Sequence, residues 1–165
     1  MSECTLRAAA LSDAEAICAI YGFYVQTTLH NFEYEPPDVP EIRRRMQAVF
    51  DARLPYLVAE VNRRVVGFAY ASQFRPRPAY RFAVESSVYI DKDSRGLGIG
   101  HDLLVALMNR CREMCATQMI GGIGGDHPVS IAFCTAHGFE VVGVMKKVGF
   151  KFDQWLDLTL MQRAL

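Results

Sequence analysis

A glycine-rich run, Ser-Arg-Gly-Leu-Gly-Ile-Gly at residues 94–100, constrains the fold of this chain more than any other segment. It lies between an apolar, strand-like segment at residues 86–90 and an apolar, helix-like segment at residues 103–115. Glycine lets backbone N–H groups approach an oxyanion closely, and a following helix directs its unpaired N–H groups and positive dipole end to the same place. The run therefore predicts a diphosphate-binding loop between a strand and a helix. The alternative is an ordinary glycine-rich turn.

The spacing of these glycines excludes two familiar phosphate-binding loops. A dinucleotide-binding fingerprint requires glycine at the position of His101 and an acidic residue about 20 positions further on, where residues 117–118 are Thr-Gln. A Walker loop requires Gly-Lys-Ser/Thr, which does not follow the glycines. The pattern that remains is Arg95-x-x-Gly98-x-Gly100, directly after an apolar strand.

The length and charge of the chain favour one domain that binds a small molecule. Its 165 residues suit a single domain spanning residues 1–165, and 51% of them are hydrophobic, which is enough for a substantial core. Lys plus Arg (18) equals Asp plus Glu (18), so no overall field favours nucleic acid or an anionic membrane. No run approaches the roughly 18 apolar residues of a membrane span, and residues 1–4 lack the basic start of a signal peptide. A cytoplasmic location is expected.

The five cysteines do not form a pattern typical of a disulfide framework or a zinc site. They are odd in number and include no C-x-x-C pair, which predicts reduced thiols, most of them in the core. Cys111 and Cys115 are four residues apart on one predicted helix, but no histidine accompanies them. We therefore expect no metal ion.

The hydrophobic pattern predicts alternating strands and helices along the chain. Strands are expected at residues 5–8, 56–59, 65–70, 81–90, 119–120, 141–145 and 155–160. Helices are expected from residue 12 to before residue 31, and at residues 38–53, 103–115 and 128–137. Ser12 and Asp13 are candidate caps of the first helix, and Asp38 with Glu41 forms a capping arrangement for the second.

The predicted central strand at residues 81–90 and the glycine-rich strand after it are the most informative for chemistry. In the central strand, odd-numbered residues such as Glu85 face the side of the sheet opposite to even-numbered residues such as Val88. Residues 121–125, Gly-Gly-Ile-Gly-Gly, would pair weakly as a strand. We expect two strands to part there around a ligand.

Five segments resemble one enzyme family. They are residues 31–33 (Asn-Phe-Glu), 74–78 (Phe-Arg-Pro-Arg-Pro), 84–89 (Val-Glu-Ser-Ser-Val-Tyr), 148–152 (Val-Gly-Phe-Lys-Phe) and 155–157 (Trp-Leu-Asp). These are similar to segments of the phosphinothricin N-acetyltransferases, which include bacterial methionine sulfoximine and methionine sulfone acetyltransferases. With the loop and the element order, the whole chain resembles the GNAT superfamily. The resemblance implies an α/β (α+β) GNAT fold, a mixed, mostly antiparallel, twisted sheet of about seven strands with four helices on both faces.

The resemblance also implies a reaction, the transfer of an acetyl group from acetyl-CoA to an amine. The coenzyme would be bound by Val88, Tyr89, Ile90, Arg95, Gly96, Leu97, Gly98, Ile99 and Gly100. Backbone N–H groups at residues 88–90 would stabilise the oxyanion that forms on the thioester carbonyl. Glu85 corresponds to the family's catalytic glutamate, and a carboxylate with a raised pKa suits a general base. The alternative for Glu85 is a solvent-facing side chain or an ion pair with Arg81.

Three positions depart from the family pattern. His127 replaces an asparagine and either hydrogen-bonds the pantetheine arm or serves as a helix-cap or surface residue. Cys134 replaces the usual histidine and is either the general acid or a core thiol. Residues 153–154, Asp-Gln, replace Gly-Arg, and this leaves the substrate open because the arginine would pair with an anion.

An amino-acid-like substrate is expected in a slot with aromatic walls and arginine side chains. The candidate substrate-binding residues are Phe32, Phe74, Arg75, Arg77, Tyr80 and Arg81. Their arginines suit a carboxylate or phosphinate, although each one alone is equally consistent with a solvated side chain. The resemblance further implies a homodimer. Two alternatives stay open: an acetyltransferase for another amine, and a non-catalytic module that binds acyl-CoA as a sensor.

Overall fold

The computed structural model describes residues 4–165, so residues 1–3, on which the signal-peptide argument partly rests, lie outside it. Seven strands form one sheet: β1 (Cys4–Ala8), β2 (Tyr56–Val61), β3 (Arg64–Gln73), β4 (Ala83–Ile90), β5 (Gln118–Gly124), β6 (Glu140–Lys151) and β7 (Gln154–Ala164). The α-helices of this part of the chain are α1 (Ala14–Thr27), α2 (Val39–Asp51), α3 (Ile99–Glu113) and α4 (Pro128–Ala136). None of them is both long and apolar enough to cross a membrane.

The sheet has the order β1-β2-β3-β4-β5-β7-β6. Only the β4–β5 pair is parallel among the described strands, and the other pairs are antiparallel. A mixed, mostly antiparallel sheet of seven strands with four α-helices confirms the fold that the sequence predicts.

The second helix begins where the sequence predicts. The carboxylate of Asp38 accepts a hydrogen bond from the backbone N–H of Glu41 at 2.9 Å, and this satisfies one of the unpaired donors in the first turn. The helix ends at Asp51, two residues earlier than expected. Arg53 has a φ of +57°, in the left-handed region that does not continue a helix.

The start of α1 differs from the expectation. Asp13 directly precedes the helix, but its carboxylate makes no capping hydrogen bond. Its two oxygens instead accept hydrogen bonds from Arg7 at 2.8 Å each, and one also accepts from the backbone N–H of Ala10. The hydrogen bond from Arg7 lowers the pKa of Asp13. This pair joins β1 to the start of α1.

The two central strands part as expected. β4 and β5 pair only from Ala83 and Gln118 to Glu85 and Ile120. Beyond that point β4 continues along β3 while β5 continues along β7 as far as Gly124. The glycine-rich segment is therefore a regular strand on its β7 side, whereas the sequence alone predicted a strand that ends near residue 120.

The last two strands are longer than predicted. β6 forms one edge of the sheet and is exposed along most of its length, so no alternation of apolar and polar residues marks its end. An irregularity between Met145 and Gly149, where Lys147 has a φ of +53°, also interrupts its pattern.

Hydrophobic clusters cover both faces of the sheet. The cluster beneath α3 includes Leu103, Leu104, Leu107, Met119 and Met161. The cluster beneath α1 and α2 includes Ile17, Val25, Met46, Val58 and Phe68. Val88 and Ile90 pack against the first cluster and Tyr89 packs against the second, which confirms the predicted alternation in β4.

The expectation about the helical cysteine pair was wrong. α3 ends at Glu113, so Cys115 does not share a helix face with Cys111. Cys111 is buried, whereas Cys115 is exposed and has a φ of +61°. Within residues 4–165 no group of three or more His, Cys, Asp or Glu side chains is placed to hold a metal ion.

Candidate active site

The gap between the parted strands presents backbone N–H groups from its β4 side. The N–H of Asp91 donates to the carbonyl of Val66 at 2.8 Å, so odd-numbered residues of β4 direct their backbone groups to β3. By this alternation the N–H groups of Val88 and Ile90 point into the gap, where β5 no longer pairs with β4. The N–H of Tyr89 points to β3 instead. Two of the three predicted strand residues therefore offer donors.

The glycine-rich loop lies after β4 and opens α3. Gly96 and Gly98 have φ values of +76° and +81°, in the left-handed region that favours glycine. A Cβ atom added at either position would meet nothing within 4 Å, so the space beside the loop is open. The first hydrogen bond within α3 joins Asp102 to Gly98, which leaves the N–H groups of residues 99–101 available to an anion. Of the other loop residues, the structure exposes Leu97, buries Ile99 and half-buries Gly100.

Arg95 places a positive charge beside this loop. Its guanidinium carbon lies 5.5 Å from the ring centre of Phe23 and 5.1 Å from that of Tyr24, both near the end of α1. The side chain makes no ion pair within residues 4–165, so its charge is available to a ligand. Tyr24 also donates a hydrogen bond of 2.6 Å to the carbonyl of Ile90, which holds α1 against the gap.

His127 caps α4 and thereby has a defined tautomer. Its Nδ1 atom accepts the backbone N–H of Ser130 at 3.2 Å and contacts the Ser130 hydroxyl, so the ring proton of the neutral form is on Nε2. The ring centre of His30 lies 3.7 Å from that of His127. Burial lowers the pKa of His127, and His30 and Arg95 act in the same direction. A helix cap and a hydrogen-bond donor to a ligand are therefore compatible roles for this residue.

Glu85 lies on the face of the sheet covered by α1 and α2, and it is the last residue of β4 that pairs with β5. Its carboxylate makes no hydrogen bond or ion pair with the described part of the chain, and burial raises its pKa. Arg81 lies over the ring of Phe82, 4.3 Å from its centre, and forms no pair with Glu85. A Cβ atom at Gly122 of β5 would lie 3.2 Å from the Glu85 Oε1 atom, so the glycine makes room for the carboxylate.

Phe32 packs on the same face of β5 as Glu85. Its ring fills the space above two glycines, since an added Cβ would lie 2.6 Å from the ring at Gly124 and 2.7 Å from it at Gly149. Gly122 and Gly124 are two residues apart in β5 and face the same side. The structure therefore brings Phe32 and Glu85 to the same surface of the sheet, over glycines that are two residues apart in β5.

The arginines of residues 74–82 stack on aromatic rings. The guanidinium of Arg75 lies 5.2 Å from the ring centre of Phe74 and 5.9 Å from that of Tyr80, and the two rings are 5.7 Å apart. Arg77 is exposed in the same segment. Phe74, Arg75 and Tyr80 thus form one cluster, while Arg81 stacks separately and Phe32 packs on β5 and β6.

Cys134 lies on the opposite face of β5 from Glu85. Its Sγ atom would lie 4.0 Å from a Cβ at Gly121, which precedes Gly122 and faces the α4 side. Burial raises the pKa of the Cys134 thiol to about 11, so the thiol holds its proton at neutral pH. A protonated thiol suits both a proton donor and a core residue.

Two buried residues beside this site make contacts that the sequence did not reveal. Lys151 is buried, and its Nζ atom donates hydrogen bonds of 2.7 Å to the carbonyls of Val25 and Asn31. Asn31 is also buried and accepts the backbone N–H of Glu33 at 2.8 Å. Both residues lie in segments that resemble the family, residues 31–33 and 148–152, but neither segment specifies that the residue is buried or that the two are in contact.

The chain matches the model of the acetyltransferase (GNAT) domain over residues 6–160. The match spans almost the whole chain and agrees with the sheet, the parted strands and the glycine-rich loop before α3. The chain therefore belongs to the GNAT family of N-acetyltransferases.

Relatives of this chain are named for the acceptors that they acetylate. The chain is 47% identical to phosphinothricin N-acetyltransferase of Alcaligenes faecalis, over 98% of the chain and 83% of that protein. It is 39% identical to L-methionine sulfoximine/L-methionine sulfone acetyltransferase of Pseudomonas paraeruginosa, over 98% of the chain and 94% of the relative. Among solved structures, a phosphinothricin acetyltransferase of Sinorhizobium meliloti in complex with AcCoA superposes with a TM-score of 0.96 at 45% identity, over 100% of this chain and 89% of that one. These relatives confirm the family that the five sequence segments indicated.

Proposed function

We propose that the chain transfers the acetyl group of acetyl-CoA to the α-amino group of a small amino-acid-like substrate, with Glu85 as the general base. Phosphinothricin, methionine sulfoximine and methionine sulfone are the first candidates, because relatives are named for them. One observation carries the proposal: the Glu85 carboxylate lies unpaired beside the gap between β4 and β5. Its raised pKa makes it a stronger base than an exposed glutamate.

The residues around the gap fit the chemistry of acetyl-CoA, which the Sinorhizobium meliloti relative binds. The loop at residues 94–100 and the N-terminus of α3 would hold the diphosphate, with Arg95 adding a second positive contact. The Nε2–H of His127 and the backbone N–H groups of Val88 and Ile90 would donate to the pantetheine arm and the thioester carbonyl. Bound acetyl-CoA supplies the activated acetyl group.

Glu85 accepts a proton from the substrate ammonium group, directly or through a water molecule, and leaves the amine free to attack. The amine nitrogen then forms a bond to the thioester carbonyl carbon, and the bond from that carbon to sulfur breaks. The N–H groups of Val88 and Ile90 stabilise the negative charge that develops on the carbonyl oxygen. The departing sulfur takes up a proton, and the thiol of Cys134 is a candidate donor.

The acceptor would bind on the Glu85 face of the sheet. Phe32 would form an apolar wall on one side, and the cluster of Phe74, Arg75 and Tyr80 would meet the anionic end of a phosphinate or carboxylate. Arg77 and Arg81 are further candidates for that anion.

A homodimer is part of the proposal. Residues on β6 and the adjoining turn expose large apolar side chains, and a second copy of the chain would cover them. They are Val141, Val142, Val144, Met145, Val148, Phe150 and Phe152. The zero net charge supports a small-molecule partner rather than binding to nucleic acid or a membrane, and a cytoplasmic location is a further part of the proposal.

The test is release of free CoA thiol by the purified protein with each of the three candidate acceptors, in parallel with Glu85→Gln. We expect the variant to lose turnover while it binds CoA as tightly as the original chain. Turnover only with other amines would assign a different acceptor. Tight CoA binding with no turnover on any amine would instead support an acyl-CoA-binding sensor. Cys134→Ala is measured in the same assay: a lower kcat with no loss of unfolding free energy would support the thiol as the proton donor, and equal losses of both would make it a core residue.

A further inference from the structure

A cavity of about 290 Å³ lies between α1, α2 and the β2–β3 part of the sheet. Four aromatic side chains line it, those of Tyr21, Tyr56, Phe68 and Tyr70, and aliphatic side chains of α1 and α2 complete the apolar part of the wall. The rings of Tyr56 and Tyr70 stack with their centres 5.0 Å apart. Ala48, an exposed residue of α2, lies at its rim.

The strand register joins this cavity to the candidate base. Ser72 lines the cavity on β3 and pairs directly with Glu85 on β4, while Tyr70 pairs with Ser87. Directly paired residues have their Cβ atoms about 5 Å apart on the same face of a sheet. The end of the cavity at Ser72 therefore adjoins the Glu85 carboxylate, on the face that also carries Phe32.

The charges at the cavity rim are neutralised within the protein. Arg45 contacts Glu33 and Glu41 at 2.7 Å each, and Arg44 contacts Glu41 at 2.7 Å. The hydroxyl of Tyr21 also donates to Glu33, at 2.5 Å. Since both guanidinium groups are already paired, the cavity offers aromatic surface rather than an anion-binding site.

We propose that this cavity is a side-chain subsite that admits acceptors with an apolar or aromatic side chain, such as L-phenylalanine. The inference rests on the proposed function, because it places the α-amino group of the acceptor at Glu85 and its side chain between α2 and β3. The size is sufficient, since an apolar cavity of about 150 Å³ holds benzene. Anionic acceptors such as phosphinothricin use the arginine cluster at residues 74–82 instead.

The experiment fills the cavity from its rim with Ala48→Trp and uses Ala52→Trp as the matched control, because Ala52 directly follows α2, is also exposed and does not line the cavity. Thiol release is measured with L-phenylalanine and with phosphinothricin. We expect Ala48→Trp to lower kcat/KM for L-phenylalanine at least about tenfold, the usual scale for lost contacts in an apolar pocket. The same variant should leave kcat/KM for phosphinothricin and the KM for acetyl-CoA within about twofold. Ala52→Trp should change none of these.

Equal losses with both acceptors, or no loss with L-phenylalanine, would overturn the subsite. The proposed function fails separately, if no acceptor supports thiol release. In that case the subsite is tested by calorimetry of L-phenylalanine binding to the CoA-loaded protein. Weaker binding to Ala48→Trp, with unchanged binding to Ala52→Trp, supports the subsite. No binding to the original chain rejects it. Ala48→Leu repeats the comparison with a smaller side chain, so that a folding defect of the tryptophan variant does not determine the result.

Discussion

The Nζ atom of Lys151 lies 2.7 Å from the carbonyl oxygen of Asn31 and 2.7 Å from that of Val25. The lysine is 1% exposed and stands at the end of β6, while both carbonyls belong to the end of α1 and the segment after it. One amine thus fastens the β6–β7 hairpin to the segment that carries Phe32. Burial lowers the pKa of Lys151.

Replacement of this amine should loosen that attachment. Lys151→Met keeps the length of the side chain but leaves two carbonyl oxygens without a donor, so we expect a loss of about 1–3 kcal/mol in the free energy of unfolding. Urea denaturation measures it. Lys146→Met is the control, because Lys146 is exposed and its ion pair with Asp157 should contribute less than about 1 kcal/mol. Equal losses in the two variants would contradict the role given to Lys151.

Gly122 leaves room for the Glu85 carboxylate, and a methyl group added at Gly122 should displace that carboxylate. In Gly122→Ala the new Cβ would lie 3.2 Å from Glu85 Oε1 and 3.6 Å from a methyl carbon of Leu158. We expect kcat to fall about tenfold or more, because small displacements of a catalytic group are costly. The KM for acetyl-CoA should change less, since the added methyl group faces Glu85 and not the loop at residues 94–100 that would hold the diphosphate.

Gly143→Ala provides the matched control for that substitution. Gly143 is also a strand glycine, in β6, and an added Cβ there would meet nothing within 4 Å. This variant should keep its full kcat in the same thiol-release assay. A fall in kcat of similar size in both variants would mean that any change to a strand glycine impairs the protein.

The effects of substitutions at Phe32 and Gly149 should be coupled, because the Phe32 ring lies over Gly149. In Gly149→Ala the Cβ would lie 2.7 Å from the Phe32 ring, so the ring must move and the KM for the acceptor should rise. Phe32→Leu removes the clash, and the double variant should recover part of the loss. The coupling between two contacting residues is about 0.5–3 kcal/mol in such a cycle. Strictly additive effects on unfolding and on KM would show that the ring does not occupy this position.

Features with a local cause could be predicted from the sequence. The cap at Asp38, the loop at residues 94–100 and the alternation in β4 follow from the residue types and their order. The partners of Asp13 and Arg45 could not be predicted. Asp13 pairs with Arg7 from β1, and Arg45 of α2 pairs with Glu33 at the cavity rim. Such contacts arise only when the sheet and helices pack.

The glycines illustrate the same limit. Gly96 and Gly98 have positive φ values that a loop signature predicts. Gly122, Gly124 and Gly149 are required for another reason, because Glu85 and Phe32 occupy the space where their side chains would lie. The identity of the side chain above a strand glycine depends on pairing between distant segments, and the local sequence does not contain that information.

Glu85 should make the chain less stable at neutral pH than it is in mild acid. Burial raises the pKa of Glu85 in the folded protein above its usual value of 4.5. At a pH between the usual pKa and the raised pKa, the folded protein therefore holds a proton that the unfolded chain has lost. Stability contributed by this group is complete below the usual pKa and is lost as the pH rises through the folded-state pKa. Glu85→Gln removes that dependence, so at neutral pH the variant should unfold at the same urea concentration as the original chain or a higher one.

The same substitution should remove activity, because only the ionised carboxylate accepts the proton of the amine. In the original chain kcat/KM should increase with pH through the raised pKa of Glu85, and this increase should be absent in any residual activity of Glu85→Gln. Glu140→Gln, an exposed change in β6, should alter neither activity nor stability by more than about 0.5 kcal/mol. A stable but inactive Glu85→Gln would identify a carboxylate retained for catalysis at the expense of stability. An inactive variant that is also less stable would instead make Glu85 a structural residue.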